Sequence, residues 1–110
     1  MAELHYRVVA IIPNPELADR YAQWLIRGHL QDVCNAGATS AAAVRVRPAD
    51  PSAPIRIESH YTFPSLAHFD EYERLHAPAL RQEGLAAFGP ETGIRFERTT
   101  GETLCHVLQS

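Results

Sequence analysis

From Tyr72 to Phe88 the chain reads YERLHAPALRQEGLAAF, a helical stretch interrupted at Pro78 and carrying His76 and Arg81 on either side of the interruption. Periodicity begins earlier, after Phe63-Pro64-Ser65. Leu66, Phe69, Tyr72 and His76 recur at spacings of three, three and four and share one helical face. Ser65 is suited to cap that helix. Pro78 donates no backbone hydrogen bond and disfavours helical geometry at Ala77, yet fits the first turn of a new helix. The stretch therefore predicts two helical pieces meeting near His76 and Ala77. The second carries a Leu80, Gly84, Phe88 stripe and ends at Gly89-Pro90. Such a break is expected to free backbone carbonyls and to turn the His76 ring toward whatever lies beneath the helix.

Working outward, His5 to Ile12 alternates and becomes β-branched, which reads as a strand closed by Pro13-Asn14-Pro15. Asn14 is placed to cap a helix with Pro15 at its first position. Leu17, Tyr21, Trp24 and Gly28 mark one face of that helix, and Ala18, Ala22, Leu25 and His29 the adjoining one. Gly28 is a point at which it can bend. A further turn through Leu30 and Val33 ends at Asn35-Ala36-Gly37.

Ala41 to Arg47 reads as a second strand and Ile55 to Phe63 as a third, paired as a hairpin across the proline-rich Pro48 to Pro54 connection. Ile94 to Thr99 makes a fourth. Thr100-Gly101 then allows a bulge or a turn into Leu104 to Leu108.

This order predicts an α+β, ferredoxin-like βαββαβ fold, an antiparallel sheet with its helices on one face. Parity sends Tyr6, Val8, Ala10, Ile57, Tyr61, Phe63 and Phe96 toward the helices. The opposite face collects His5, Arg7, Arg45, Arg47, Arg56, Glu58, His60, Arg95 and Glu97. Such a face can be solvated, bind RNA or pair with a second copy. RNA recognition on this topology needs aromatic rings on the open face, and here the rings have the other parity.

At 110 residues the whole chain, 1–110, is expected to be one domain, burying roughly two thirds of its unfolded surface. The net charge is -3, and all ten basic residues are arginine. A mildly acidic chain without a lysine-rich run gives no support for nucleic-acid or anionic-membrane partners. Cys34 and Cys105 are too few and too far apart for a disulfide framework or zinc knuckle, so reduced thiols in a cytoplasmic protein are expected. The N-terminus, MAELHYRVVAII, lacks the pattern of a secretory leader, and no apolar run approaches the ~20 residues of a membrane span. The mature chain is expected to start at or near residue 1.

The helix YAQWLIRGHLQDVCNAG, the hairpin, FPSLAHFDEYERLHAPALRQEGLAAFG and a closing strand together resemble the dimeric alpha-beta barrel superfamily. More closely they resemble an uncharacterised group of short bacterial domains within it, carrying similar W-x4-H and HAP-x-LR-x2-G-x3-F stretches. Here those stretches supply Trp24, His29, His76, Ala77, Pro78, Leu80, Arg81, Gly84 and Phe88. The resemblance implies a homodimer with helices outside and a cavity in each subunit between sheet and helices. Superfamily relatives include cofactor-independent monooxygenases of antibiotic pathways, lactone isomerases, decarboxylases, haem-degrading enzymes and proteins with no known reaction. Fold alone therefore does not settle function.

For catalysis, His76, Arg81 and His29 are the first candidates, with Tyr61, Tyr72, Trp24, His60 and Tyr6 as groups that bind substrate. Imidazole moves protons near neutral pH, and guanidinium pairs with carboxylate, phenolate or enolate. Each also has a structural role open to it: His29 as a helix-end packing group, His60 in an ion-pair set, Arg81 in a salt bridge to Glu73 or Glu83, and the tyrosines and Trp24 as core rings. His68 and His76 lie about 80° and some 12 Å apart on a helix, too far to clasp one metal ion. The nucleotide-binding, P-loop, serine-hydrolase and CxxC motifs are absent, so no cofactor is expected, although a haem ligand at His76 stays open.

Two readings follow. One is a cytoplasmic homodimer whose cavity binds a small apolar or aromatic molecule and acts on it by proton transfer, isomerisation or cofactor-free oxidation. The other is a dimerising or ligand-sensing module without catalysis.

Overall fold

The computed structural model describes residues 2–109. Four strands, β1 (Leu4–Ile12), β2 (Ser40–Arg45), β3 (Ile55–Phe63) and β4 (Arg95–Glu102), form one antiparallel sheet in the order β2-β3-β1-β4. Between β1 and β2 the chain makes α1 (Pro15–Trp24), a π-helical turn (Leu25–His29) and α2 (Leu30–Asn35). Between β3 and β4 it makes α3 (Leu66–Leu75), α4 (Ala77–Ala87) and a short 3-10 turn (Pro90–Thr92). This is the ferredoxin-like arrangement that the order of elements predicts.

The helix starts follow local chemistry. Asn14 Oδ1 accepts from the Leu17 amide at 2.9 Å, with Pro15 opening α1. Ser65 Oγ accepts from the His68 amide at 3.2 Å. Each bond satisfies an amide that the first helical turn leaves without a partner.

The helix-facing side of the sheet is aromatic. Tyr6, Tyr61 and Phe63 are buried there, and Phe69 and Tyr72 of α3 close over them with ring centroids 5.0 to 5.2 Å from Tyr6 or Phe63 in three of the pairs. A second cluster, around Ala10, Leu17, Tyr21, Leu25, Ile57 and Phe88, packs toward the other end of the sheet. Among the described residues, no helix is long and apolar enough to cross a membrane.

Three expectations are corrected. Arg45 pairs with Ile57, so it lies on the helix side of edge strand β2, where its guanidinium meets Asp19 of α1 at 3.2 Å. Arg47 falls beyond the end of β2. The register aligns Ala41 with Tyr61, and in β2, whose run of alanines has no apolar-polar alternation, only that pairing tells the two faces apart. The open face therefore holds Ala42 and Val44 in place of two arginines. At the other edge, β4 passes straight through Gly101 in unbroken register with β1, from Arg95 opposite Ile11 to Glu102 opposite Leu4. There is no bulge, and Leu104 to Leu108 form no strand; Leu104, Val107 and Leu108 are highly exposed.

The third correction concerns the helix break. The His76 carbonyl accepts from the Leu80 amide at 3.3 Å, so α4 reclaims it, and the His76 side chain is exposed. Its neighbour Ala77 is the buried residue at the joint, packed with the cluster that includes Val33 and Tyr72. A small methyl fits where the helices converge on the sheet, and the adjacent imidazole is turned outward.

Candidate functional site

Between the sheet and the helices lies a cavity of about 240 Å³. Its floor comes from β1 and β3 through Tyr6, Val8, Ser59 and Tyr61, and its wall on the β4 side from Phe96 and Arg98. The first helical segment contributes Tyr21, Trp24 and His29; α3 contributes Tyr72; α4 contributes Leu80, Arg81, Gly84 and Leu85, with Phe88 just after it. Six of the sequence candidates, Tyr6, Trp24, His29, Tyr61, Tyr72 and Arg81, thus line one space.

His29 reaches it through the π-helical turn, in which the Leu30 amide bonds to the Leu25 carbonyl five residues back. Such turns occur mostly as single insertions in α-helices, frequently at functional sites. The imidazole stacks on the Trp24 indole, with centroids 4.2 Å apart and planes 18° from parallel. Its Nδ1 is buried without a hydrogen-bond partner. Burial holds the His29 pKa below its ordinary value, against a weaker upward pull from Asp32, so the ring is neutral at pH 7.

The phenols respond to the same environment. Burial pushes Tyr21 up to about 12 and also raises Tyr61 and Tyr72. Ser59 lies near enough to Tyr21 and Tyr61 to offset part of that rise, yet its buried Oγ makes no hydrogen bond of standard geometry. Arg81 is partly exposed at the rim. Its Nη2 donates to both Glu73 carboxylate oxygens, at 2.9 and 2.7 Å. Burial works against its charge but is outweighed by the Tyr6 hydroxyl and Glu73, which leave its pKa raised.

Two sequence candidates lie elsewhere. His76 borders a shallow outer depression with Asp32, Asn35, Ala79 and Glu83. His60 is on the open side of the sheet, where its Nε2 is 2.8 Å from Glu58 Oε1 and Arg7 approaches the same oxygen at 3.7 Å. Conversely, the cavity is also lined by Tyr21, Ser59 and Arg98, which are not among the sequence candidates. For two of them the signal was parity: Ser59 alternates with Ile57 and Tyr61, and Arg98 with Phe96. Among the described residues no group of three or more His, Cys, Asp or Glu side chains is arranged to hold a metal ion.

Solved structures share this fold at low sequence identity. A dimeric ferredoxin-like protein from an uncultured marine organism superposes with a TM-score of 0.71 at 10% identity, over 99% of this chain and 100% of that one. A Streptomyces coelicolor monooxygenase from the gene ActVA-Orf6, solved with the ligand nanaomycin D, gives 0.71 at 12% identity over 99% and 94% of the two chains. A candidate antibiotic biosynthesis monooxygenase from Deinococcus radiodurans gives 0.68 at 14% identity over 97% and 98%. No curated protein sequence matches the chain. The fold is that of the dimeric ferredoxin-like, alpha-beta barrel proteins, and the match of residues 4–100 to one family model places the chain in the family described as Domain of unknown function (DUF4286).

Proposed function

We propose that the protein is a homodimer in which each subunit's cavity binds a small, mainly apolar or aromatic molecule, and that it acts on that molecule without a cofactor. The carrying observation is the cavity itself, walled by Tyr6, Tyr21, Trp24, Tyr61, Tyr72, Phe88 and Phe96 with a few convergent polar groups. Concave, largely apolar spaces of this kind are the usual form of a small-molecule site. At about 240 Å³ it lies below the roughly 300–1,000 Å³ of drug-sized pockets, which favours one small ring system.

His29 is the proton acceptor in this reading, since a neutral imidazole held beside the cavity can take a proton from an acidic C–H or O–H. Arg81 stabilises the anion so formed, while Tyr61 and Tyr72, protonated at neutral pH, donate hydrogen bonds that orient the substrate. His76, facing solvent, takes no direct part. Proton transfer with isomerisation, or oxidation of the resulting carbanion by molecular oxygen, are the reactions this set supports. That some fold neighbours are monooxygenases supports the second of these by analogy.

Dimerisation through the open sheet face is supported by the dimeric ferredoxin-like neighbours and by the mixture of apolar and charged groups on that face, Val9, Val44, Arg7, Glu58 and His60. The unpaired Cys34 and Cys105 fit a reducing cytoplasm.

A second reading, a ligand-binding module without catalysis, draws support from the Glu73 carboxylate that already engages Arg81. The discriminating experiment is a crystal structure of protein taken directly from cells, with cavity density identified by mass spectrometry, followed by turnover assays of that molecule. Turnover lost in His29→Phe and kept in His76→Ala supports the enzyme. Binding without turnover selects the module. A cavity closed over by its own side chains in the crystal would remove both readings. For the dimer, sedimentation as a monomer at micromolar concentration is the outcome that defeats it.

A further inference from the structure

The cavity's charge is one-sided. The chain has thirteen acidic residues and ten arginines, yet two arginines, Arg81 and Arg98, line the cavity and no carboxylate does. The remaining polar side chains of the lining are four phenols, one serine hydroxyl, the His29 imidazole and the Trp24 indole N–H. The two guanidiniums are not equivalent. Arg81 is held by Glu73, whereas Arg98 makes no ion pair among the described residues and lies with its guanidinium carbon 5.7 Å from the centre of the Phe96 ring. Arg98 is exposed on the edge strand β4, so it stands at the mouth while the aromatic rings fill the interior.

We infer that the cavity takes a flat aromatic or similarly apolar acid carrying a single carboxylate or phenolate, its ring inside against Trp24, Phe88 and Phe96 and its anionic end on Arg98. The inference rests on the reading of the cavity as a ligand site and narrows it to one charge class. A guanidinium held over a ring at cation–π distance can form a forked pair with a carboxylate while keeping that contact. The lining donates hydrogen bonds to an anion from its phenols and guanidiniums without presenting a like charge. A neutral ligand of the same shape leaves Arg98 without a partner. A cationic ligand meets the like charge of Arg98 at the mouth.

The test compares two probes of matched shape, 2-naphthoate and 2-naphthamide, by isothermal titration calorimetry on the wild-type protein and on Arg98→Met and Arg98→Lys. Occupancy of the cavity is followed in parallel by NMR, through the indole N–H resonance of Trp24, the chain's single tryptophan. In the wild type, naphthoate should bind about tenfold or more tighter than naphthamide, a difference of roughly 1.4 kcal/mol. In Arg98→Met that ratio should fall to near one with naphthamide affinity unchanged, and in Arg98→Lys part of it should return. Both probes shifting the Trp24 resonance with equal affinity would overturn the charge assignment and leave the ligand site standing. A naphthoate preference that survives in Arg98→Met would overturn the role of Arg98. Failure of both probes to move Trp24 would count against the inference and against the cavity as an aromatic site.

Discussion

The imidazole of His29 lies flat against the indole of Trp24, five residues earlier in the chain, with ring centroids 4.2 Å apart. In a regular α-helix, five residues at roughly 100° each would leave the two side chains about 140° apart around the axis. The wider turn from Leu25 to His29 brings them to the same side, so the insertion in the helix is what places an imidazole on the cavity wall.

His29 should make stability depend on mildly acidic pH. Its folded-state pKa lies below the ordinary 6.5, so in the window just under that value the unfolded chain binds a proton that the folded one excludes. The contribution is fully present above pH 6.5, is lost as pH falls, and stops changing below the folded pKa. Urea unfolding at pH 7.5 and pH 5 should show a larger loss in the wild type than in His29→Phe, which keeps a ring on Trp24 but does not titrate. Equal losses in the two proteins would contradict a buried neutral imidazole.

The tyrosines should govern the alkaline limit. Tyr21 is pushed up to about 12 and Tyr61 and Tyr72 are also raised, chiefly by burial. Their protons stay on in the folded state after the unfolded chain begins to lose them near pH 10, so stability falls as pH rises above 10. Tyrosinate absorbance should therefore grow in step with the loss of circular dichroism. Complete tyrosine ionisation near pH 10 with the secondary structure intact would show that these phenols are open to water.

Phe63 is fully buried, 5.2 Å from Phe69 and 5.0 Å from Tyr72 between ring centres. Phe63→Ala removes the ring on which α3 rests and should cost about 3–5 kcal/mol in chemical denaturation. A loss under about 1 kcal/mol would mean that the helix rests on other contacts.

Gly84, inside α4, faces Trp24, and a methyl added there would sit 3.5 Å from the indole Cη2 atom, an ordinary contact. Gly84→Ala should therefore stabilise the fold by about 0.5–1 kcal/mol through helix propensity, while narrowing the cavity and weakening binding of 2-naphthamide. Destabilisation would show that Trp24 has no room to accept the methyl.

Much of this architecture was written in local chemistry. Asn14-Pro15 and Ser65 start helices because their side chains and ring geometry act within one turn, and the alternation of Tyr6, Val8 and Ala10 or of Ile57, Tyr61 and Phe63 declares one face of a sheet without reference to any partner strand. What local chemistry does not carry is register and helical phase. The side taken by Arg45 depends on which β3 residue lies opposite. The position of His29 depends on one inserted residue in the turn that begins at the fully buried Leu25, and no periodicity in the sequence marks that insertion. Pro78 points to a break beside His76, but at that joint Ala77 is the buried residue and His76 is exposed. The sequence pattern thus names six of the cavity's side chains, His29 among them, while the second histidine it names, His76, lies outside.

The cavity also divides the interior. Tyr6, Tyr61 and Tyr72 on its lining belong to one packed cluster, and Tyr21 and Phe88 to the other. A molecule seated there would act as a keystone, touching both halves and joining them into a single unit. Occupancy and folding would then be thermodynamically linked, with the melting temperature rising as ligand concentration exceeds its dissociation constant. Without ligand, the two clusters are joined by the shared strands β1 and β3 and by Leu30, which packs against both, and hydrogen exchange in the helices that border the cavity should slow when a ligand binds.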